Sequence, residues 1–194
     1  MTFNPFLVNT ESLKLLDRLL GSRWDYWGTS STNPLPDRAL VRMFVRTNAG
    51  FVRVSILESA RGSFPDDPDI TRLCLDHDNW DEAKARSSGG VFFQDRGKLV
   101  KDIRVIRERE VVTFLDGSET VNEFDIGLIF EFDPGVVSFH RVNCYDVEFD
   151  IRRADSLSNL VLDHGAHRFM DSLEYRTEVS LSYPSVSILL DPSD

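Results

Sequence analysis

Three of the four histidines stand beside carboxylates, in Asp76-His77-Asp78 and in Asp163-His164 with His167 three residues on. Imidazole and carboxylate groups together suit zinc, manganese or iron. His77, His164, His167, Asp76 and Asp163 are therefore the candidate ligands for a divalent transition metal, and a metal-assisted enzyme is the function they would support. Their spacing does not define such a centre. No H-E-x-x-H occurs, and His164 shares a helical face with His167 only if a helix continues through Gly165. Asp76, Asp78 and Glu82 imitate a calcium loop, but its sixth position is Asp81 rather than glycine and its twelfth is Ser87 rather than glutamate. The simpler expectation puts His77 and His164 at the C-terminal ends of two short helices, where a cation complements the helix dipole. No cofactor is expected on that reading.

Nucleophilic and nucleotide chemistry have weaker support. Cys74 and Cys144 lie far apart, neither in a glycine-rich turn, and no G-x-S-x-G, Walker loop or dinucleotide glycine fingerprint is present. Both cysteines read as small buried apolar side chains. Two unrelated cysteines do not make a disulfide scaffold, so a reducing cytoplasm is the expected compartment. Arg42, Arg46 and Arg53, with Phe44 and Phe51 expected to be exposed, form a basic hairpin able to hold an anion or stack single-stranded nucleic acid. A net charge of −10 disfavours nucleic acid as the main partner.

Carboxylates dominate the second half. Glu123, Asp125, Glu131, Asp133, Asp146, Glu148 and Asp150 alternate with apolar residues. Paired acids of a glycosidase need a cleft and one raised pKa, and a solvated strand face supplies neither. Residues 1–62 hold 8 Lys and Arg against 5 acids, while the remaining 132 residues hold 14 against 27. Like charges across neighbouring strands destabilise one another. Relief must come from a basic protein partner or from Lys101, Arg104, Arg107 and Arg109 nearby. The leading expectation is a non-enzymatic interaction module that presents Glu123, Asp125, Glu131, Asp146, Glu148 and Asp150 as an acidic sheet face. A small apolar ligand held among the 14 phenylalanines is a further alternative, and an open sheet edge could pair two copies as a homodimer.

These residues need elements to position them. Asn9 or Thr10 caps a helix to about Leu20, with leucines at 13, 16 and 20 on one stripe and Gly21 after it. Residues 22–37 read as loop, broken by Pro34 and Pro36. Residues 39–47 and 51–57 form a hairpin around Asn48-Ala49-Gly50. Asp67 and Pro68 start a helix carrying Ile70, Leu73, Cys74 and His77 on one face, with a second helical piece over 78–84. Strands are expected at 91–94, 99–107, 110–115, 120–132, 136–143 and 145–152, with turns at Asp116-Gly117 and Asp133-Pro134-Gly135. Phe124, Ile126, Leu128, Phe130 and Phe132 would share one core face, opposite the acids. A short helix over 155–165 and strands at 175–183 and 186–190 complete the pattern. No apolar run approaches bilayer length, and the first residues lack the pattern of a signal peptide. The expected class is α+β, mainly antiparallel β, as a curved sheet or open barrel with a few short helices packed on one side, in a single domain over 1–194.

Overall fold

The computed structural model describes residues 6–29, 38–40, 42–58, 71–76, 90–142, 148–162 and 175–191. Asn9 starts α1 (Thr10–Asp17) by accepting the Ser12 N–H on its side chain at 2.9 Å. Leu13, Leu16 and Leu19 are buried, as their stripe requires. The regular helix stops at Asp17, and tighter bonds from Leu19 N–H to Leu16 and from Leu20 N–H to Asp17 finish it. Gly21 takes φ +71° beyond the end.

Eleven strands follow among the described residues: β1 (Trp24–Thr29), β2 (Arg38–Leu40), β3 (Arg42–Thr47), β4 (Gly50–Glu58), β5 (Thr71–Asp76), β6 (Val91–Phe92), β7 (Asp102–Phe114), β8 (Glu119–Glu131), β9 (Val136–His140), β10 (Glu148–Ala154) and β11 (Tyr175–Ser182). The first sheet runs β5-β4-β3-β1-β6 and the second β11-β7-β8-β9-β10-β2, all by antiparallel pairing. One sheet curls into a half-barrel, and the fold is α+β with little helix. Among the described residues no helix is long and apolar enough to cross a membrane.

Several elements differ from the sequence reading. Residues 24–29, expected as loop, form β1, because Trp24 and Trp27 fill the core between the sheets. Residues 71–76, expected as helix, form β5: Leu73 and Leu75 are buried and Cys74 lies between them, which is period two. Asp67, Pro68, Ile70, His77 and the piece at 78–84 lie outside the described residues. The strands expected at 99–107 and 110–115 are one 13-residue strand, β7. Residues 186–190, expected as a strand, are a short helix, α2 (Val186–Leu190), with Val186 fully buried. A five-residue apolar run satisfies either period, so packing decides. Of the helix expected over 155–165, the described residues 155–162 form one turn of 3-10 helix at Leu157–Asn159.

Between the sheets the core is aromatic. The Trp24 ring meets Phe130 edge-on at 5.1 Å, Trp27 meets Phe139 at 5.4 Å and stacks on Phe92 at 4.2 Å. Such pairs add about 0.5–1.5 kcal/mol each beyond area burial. Residues 98–101 stitch the two sheets together. Trp24 N–H donates to Lys98 O and Gly21 N–H to Val100 O, while Lys101 N–H donates to Glu131 O in the second sheet.

The largest departure lies within β8. Ile106 pairs with Gly127 and Arg107 with Asp125, which leaves Ile126 as an extra residue. The bulge reverses which side chains face inward. Leu128 and Phe130 join the core between the sheets, whereas Phe124 and Ile126 join a second cluster with Ile106, Ile129 and Val136. The five residues expected on one face are thus split between two. Just past the bulge, Gly127 sits against β9, where a Cβ would lie 2.5 Å from His140 Cα and from Phe139 O. Gly127→Ala should therefore force β8 and β9 apart and cost about 1–3 kcal/mol, read as a lower urea midpoint.

Candidate functional site

Because the bulge turns it inward, Asp125 is fully buried rather than wet. Its carboxylate takes Arg107 in a two-pronged pair, Nε to Oδ1 at 2.8 Å and Nη2 to Oδ2 at 3.2 Å. Val8 N–H donates to Oδ2 at 2.7 Å. The backbone around it is equally engaged: Asp125 N–H donates to Phe6 O, and the buried Arg141 donates through Nη2 to Asp125 O at 2.9 Å. Burial raises the Asp125 pKa above its ordinary value, against the hydrogen bond and charge of Arg107. For Arg107, burial opposes the charge, but the hydrogen bond and charge of Asp125, with Glu123 behind it, outweigh that and raise its pKa. Both carboxylate oxygens are occupied, so this knot positions strands rather than offering a base to a substrate.

The remaining acidic candidates meet mostly their own cations. Glu131 is bound by Arg104, which also reaches Asp102 at 3.0 Å. Asp133 meets Lys101. Asp150 meets Arg152 at 2.7 Å. Glu123 lies opposite Arg109 in the β7–β8 register. Glu148 is half-buried opposite the backbone of Leu40. Asp146 lies outside the described residues. Glu108 and Glu110 of β7 are buried, with Glu110 accepting from Asn122 Nδ2 at 3.0 Å.

Of the metal candidates, His77, Asp163, His164 and His167 lie outside the described residues, and Asp76 ends β5 opposite Arg53. No group of three or more metal-ligating side chains converges among the described residues. His140, which carried no role in the sequence reading, is buried in β9 with Nδ1 3.3 Å from Ser138 Oγ and Nε2 3.9 Å from Asp150 Oδ2. In the basic hairpin, Phe44 is buried rather than exposed. Its ring lies over Gly28 of β1, where a Cβ would come within 2.3 Å of Phe44 Cζ, and it packs on Tyr26 and Phe51. The stacking platform expected there is part of the core.

What stays exposed is the outer half of β7 and β8. β9 accompanies β8 only over Gly127–Glu131, and β11 covers β7 over Arg107–Phe114. Along Thr120–Asn122 the outer edge of β8 carries no strand among the described residues. At the tip of this three-stranded arm Leu115 is 80% exposed, Val121 48% and Phe114 41%. Asp116, Glu119 and Glu178 are exposed around them.

Two measurements test the buried knot. Arg107→Ala strands a buried carboxylate and should cost about 3–5 kcal/mol in urea unfolding. The raised Asp125 pKa means that its titration favours the fold fully below pH 3.8 and loses that contribution as pH rises through the raised value. The stability of the wild type minus that of Asp125→Asn should accordingly fall with rising pH across that window. A difference that rises or stays level contradicts the assignment. No family model, curated protein or solved structure matches this chain.

Proposed function

We propose that the chain is a non-enzymatic interaction module whose recognition surface is the outer arm of the second sheet. The observation that carries this reading is the exposed apolar tip, Phe114, Leu115 and Val121, rimmed by carboxylates. Over residues 107–125 and 175–182 the sequence holds seven carboxylates against three arginines. Hydrogen bonds from Ser118 hold Asp116 below the ordinary carboxylate range, so it stays ionised. Apolar contact gives such a surface its affinity, and the acids steer encounter with a positively charged partner.

The edge of β8 beside this tip has the form that accepts an added strand. A basic, extended segment fits it better than a second copy. Antiparallel self-pairing centred on Val121 would set Glu119 of one chain against Glu123 of the other, a like-charge opposition. The acidic face read from the sequence thus contributes mainly through Glu123 and its neighbours at the tip, because Asp125, Glu131 and Asp150 already hold their own arginines.

Parallel pull-downs test the reading, using wild-type protein and the surface variant Leu115→Ser/Val121→Ser at low salt and at about 0.5 M salt, where the screening length falls to a few ångströms. Basic proteins should be retained by the wild type at low salt and lost both in high salt and with the variant. Identical recovery by the two proteins would remove the arm as the recognition surface.

A further inference from the structure

A cation-lined cleft opens on the first sheet, at the β3–β4 turn. Its construction begins with an irregularity in β1. Trp24 pairs with Thr47 and Tyr26 with Arg46, so Asp25 is an extra residue that bulges out of the ladder. Asp25 receives Arg96, Nε to Oδ1 at 2.9 Å. Arg96 is delivered by a tight turn in which Asp95 has φ +65° and Gly97 φ +83°. The third wall is the β3–β4 turn. Asn48 Oδ1 accepts the Arg23 N–H at 2.7 Å, and Asn48 N–H donates to Arg23 O at 3.0 Å. Arg23 Nη1 donates to Gly97 O at 3.0 Å, and Gly97 N–H to Trp24 O at 2.7 Å. Three chain segments, far apart in sequence, are thus locked together by backbone and side-chain hydrogen bonds around a cleft of about 260 Å³.

The charge of this cleft is not balanced from within. Arg23, Arg46 and Arg96 line it, and Asp25 is the one carboxylate among the lining residues. The Arg46 side chain is exposed and makes no ion pair or hydrogen bond among the described residues. The two other arginines are already fixed by Gly97 O and Asp25. Two surplus positive charges therefore gather at one spot in a chain of net charge −10. On the second sheet Arg104, Arg107 and Arg152 each meet a carboxylate. Mutual repulsion among guanidinium groups is relieved by an anion, and their planar forks match the oxygens of phosphate. The volume exceeds what one inorganic phosphate fills, so the phosphate would arrive attached to a small organic group.

We propose that the Arg23–Arg46–Arg96 cleft binds the phosphate group of a small phosphorylated metabolite. Arg46 closes on the anion from the exposed side. Arg23 and Arg96, held by their existing bonds, present donors that need no rearrangement. This site is independent of the acidic arm, and its test does not depend on any protein partner.

Calorimetric titration of the purified full chain decides the matter, with inorganic phosphate in one arm and a nucleoside monophosphate in the other. Both should saturate, with the nucleotide tighter by at least about tenfold if the organic group is also held. Arg46→Ala, which removes a side chain with no ion pair or hydrogen bond among the described residues, should weaken both by about tenfold or more. Arg109→Ala, which alters an exposed arginine on the second sheet, should leave both unchanged. Inorganic phosphate binding as tightly as the nucleotide would overturn the metabolite in favour of a free-phosphate site. Absence of saturation by either probe, or equal weakening by Arg46→Ala and Arg109→Ala, would overturn the site itself.

Discussion

A single extra residue in β8 governs how this chain distributes its polar groups. With Ile126 inserted opposite β7, the strand changes which side chains it turns inward at Asp125–Gly127. One part of the strand then feeds the core between the sheets, and the other feeds the cluster around Ile106 and Phe124. A carboxylate is carried into the interior by the same shift. Desolvation of Asp125 is tolerable only because Arg107 reaches it two-pronged and Val8 adds a backbone donor. The segment before α1 is tied to the same point, since Val8 N–H donates to the carboxylate and Phe6 O accepts the Asp125 N–H.

Much of the second sheet is written openly in the chain. Period-two alternation and the Asp116-Gly117 turn locate β7 and β8, and Asn48-Ala49-Gly50 locates the β3–β4 turn. Alternation alone cannot show a bulge, because an inserted apolar residue such as Ile126 preserves the appearance of a regular strand. β1 is hidden for a different reason. Trp24, Tyr26 and Trp27 sit just before a proline-containing stretch, and the partner that makes them a strand is β3, nearly twenty residues on. β5 satisfies the helical spacing through Leu73 and Cys74, and only the available edge of β4 selects the extended form.

The candidate sites divide in the same way. The identity of the acidic residues is legible, and so is the supply of arginines beside them. Which acid meets which base is set by register, and register depends on the bulge. Arg46 is visible as part of a basic hairpin, but Arg23 and Arg96 come from a helix-to-strand connection and a turn that carry no shared motif. The bonds that bring those three together each have a backbone group on at least one side, and backbone groups leave no signature in the residue types. Conversely, Phe44 has the position of an exposed aromatic and becomes core because Gly28 leaves room for its ring.

The stitch at residues 98–101 bears on how the molecule reaches this state. β1 draws backbone hydrogen bonds on one side from residues more than sixty positions later, and Lys101 extends the same strip to the end of β8. β2 pairs with β10 of the second sheet, while β3, which follows it directly in sequence, belongs to the first. Neither sheet can be completed from neighbouring segments alone. Long loops must close before these contacts repay the lost chain entropy, which is the condition for slow folding. During that delay the tryptophans of β1 remain without the Phe130 and Phe139 rings that shelter them, so the time spent waiting for the far half of the chain is also the time of greatest exposure to aggregation.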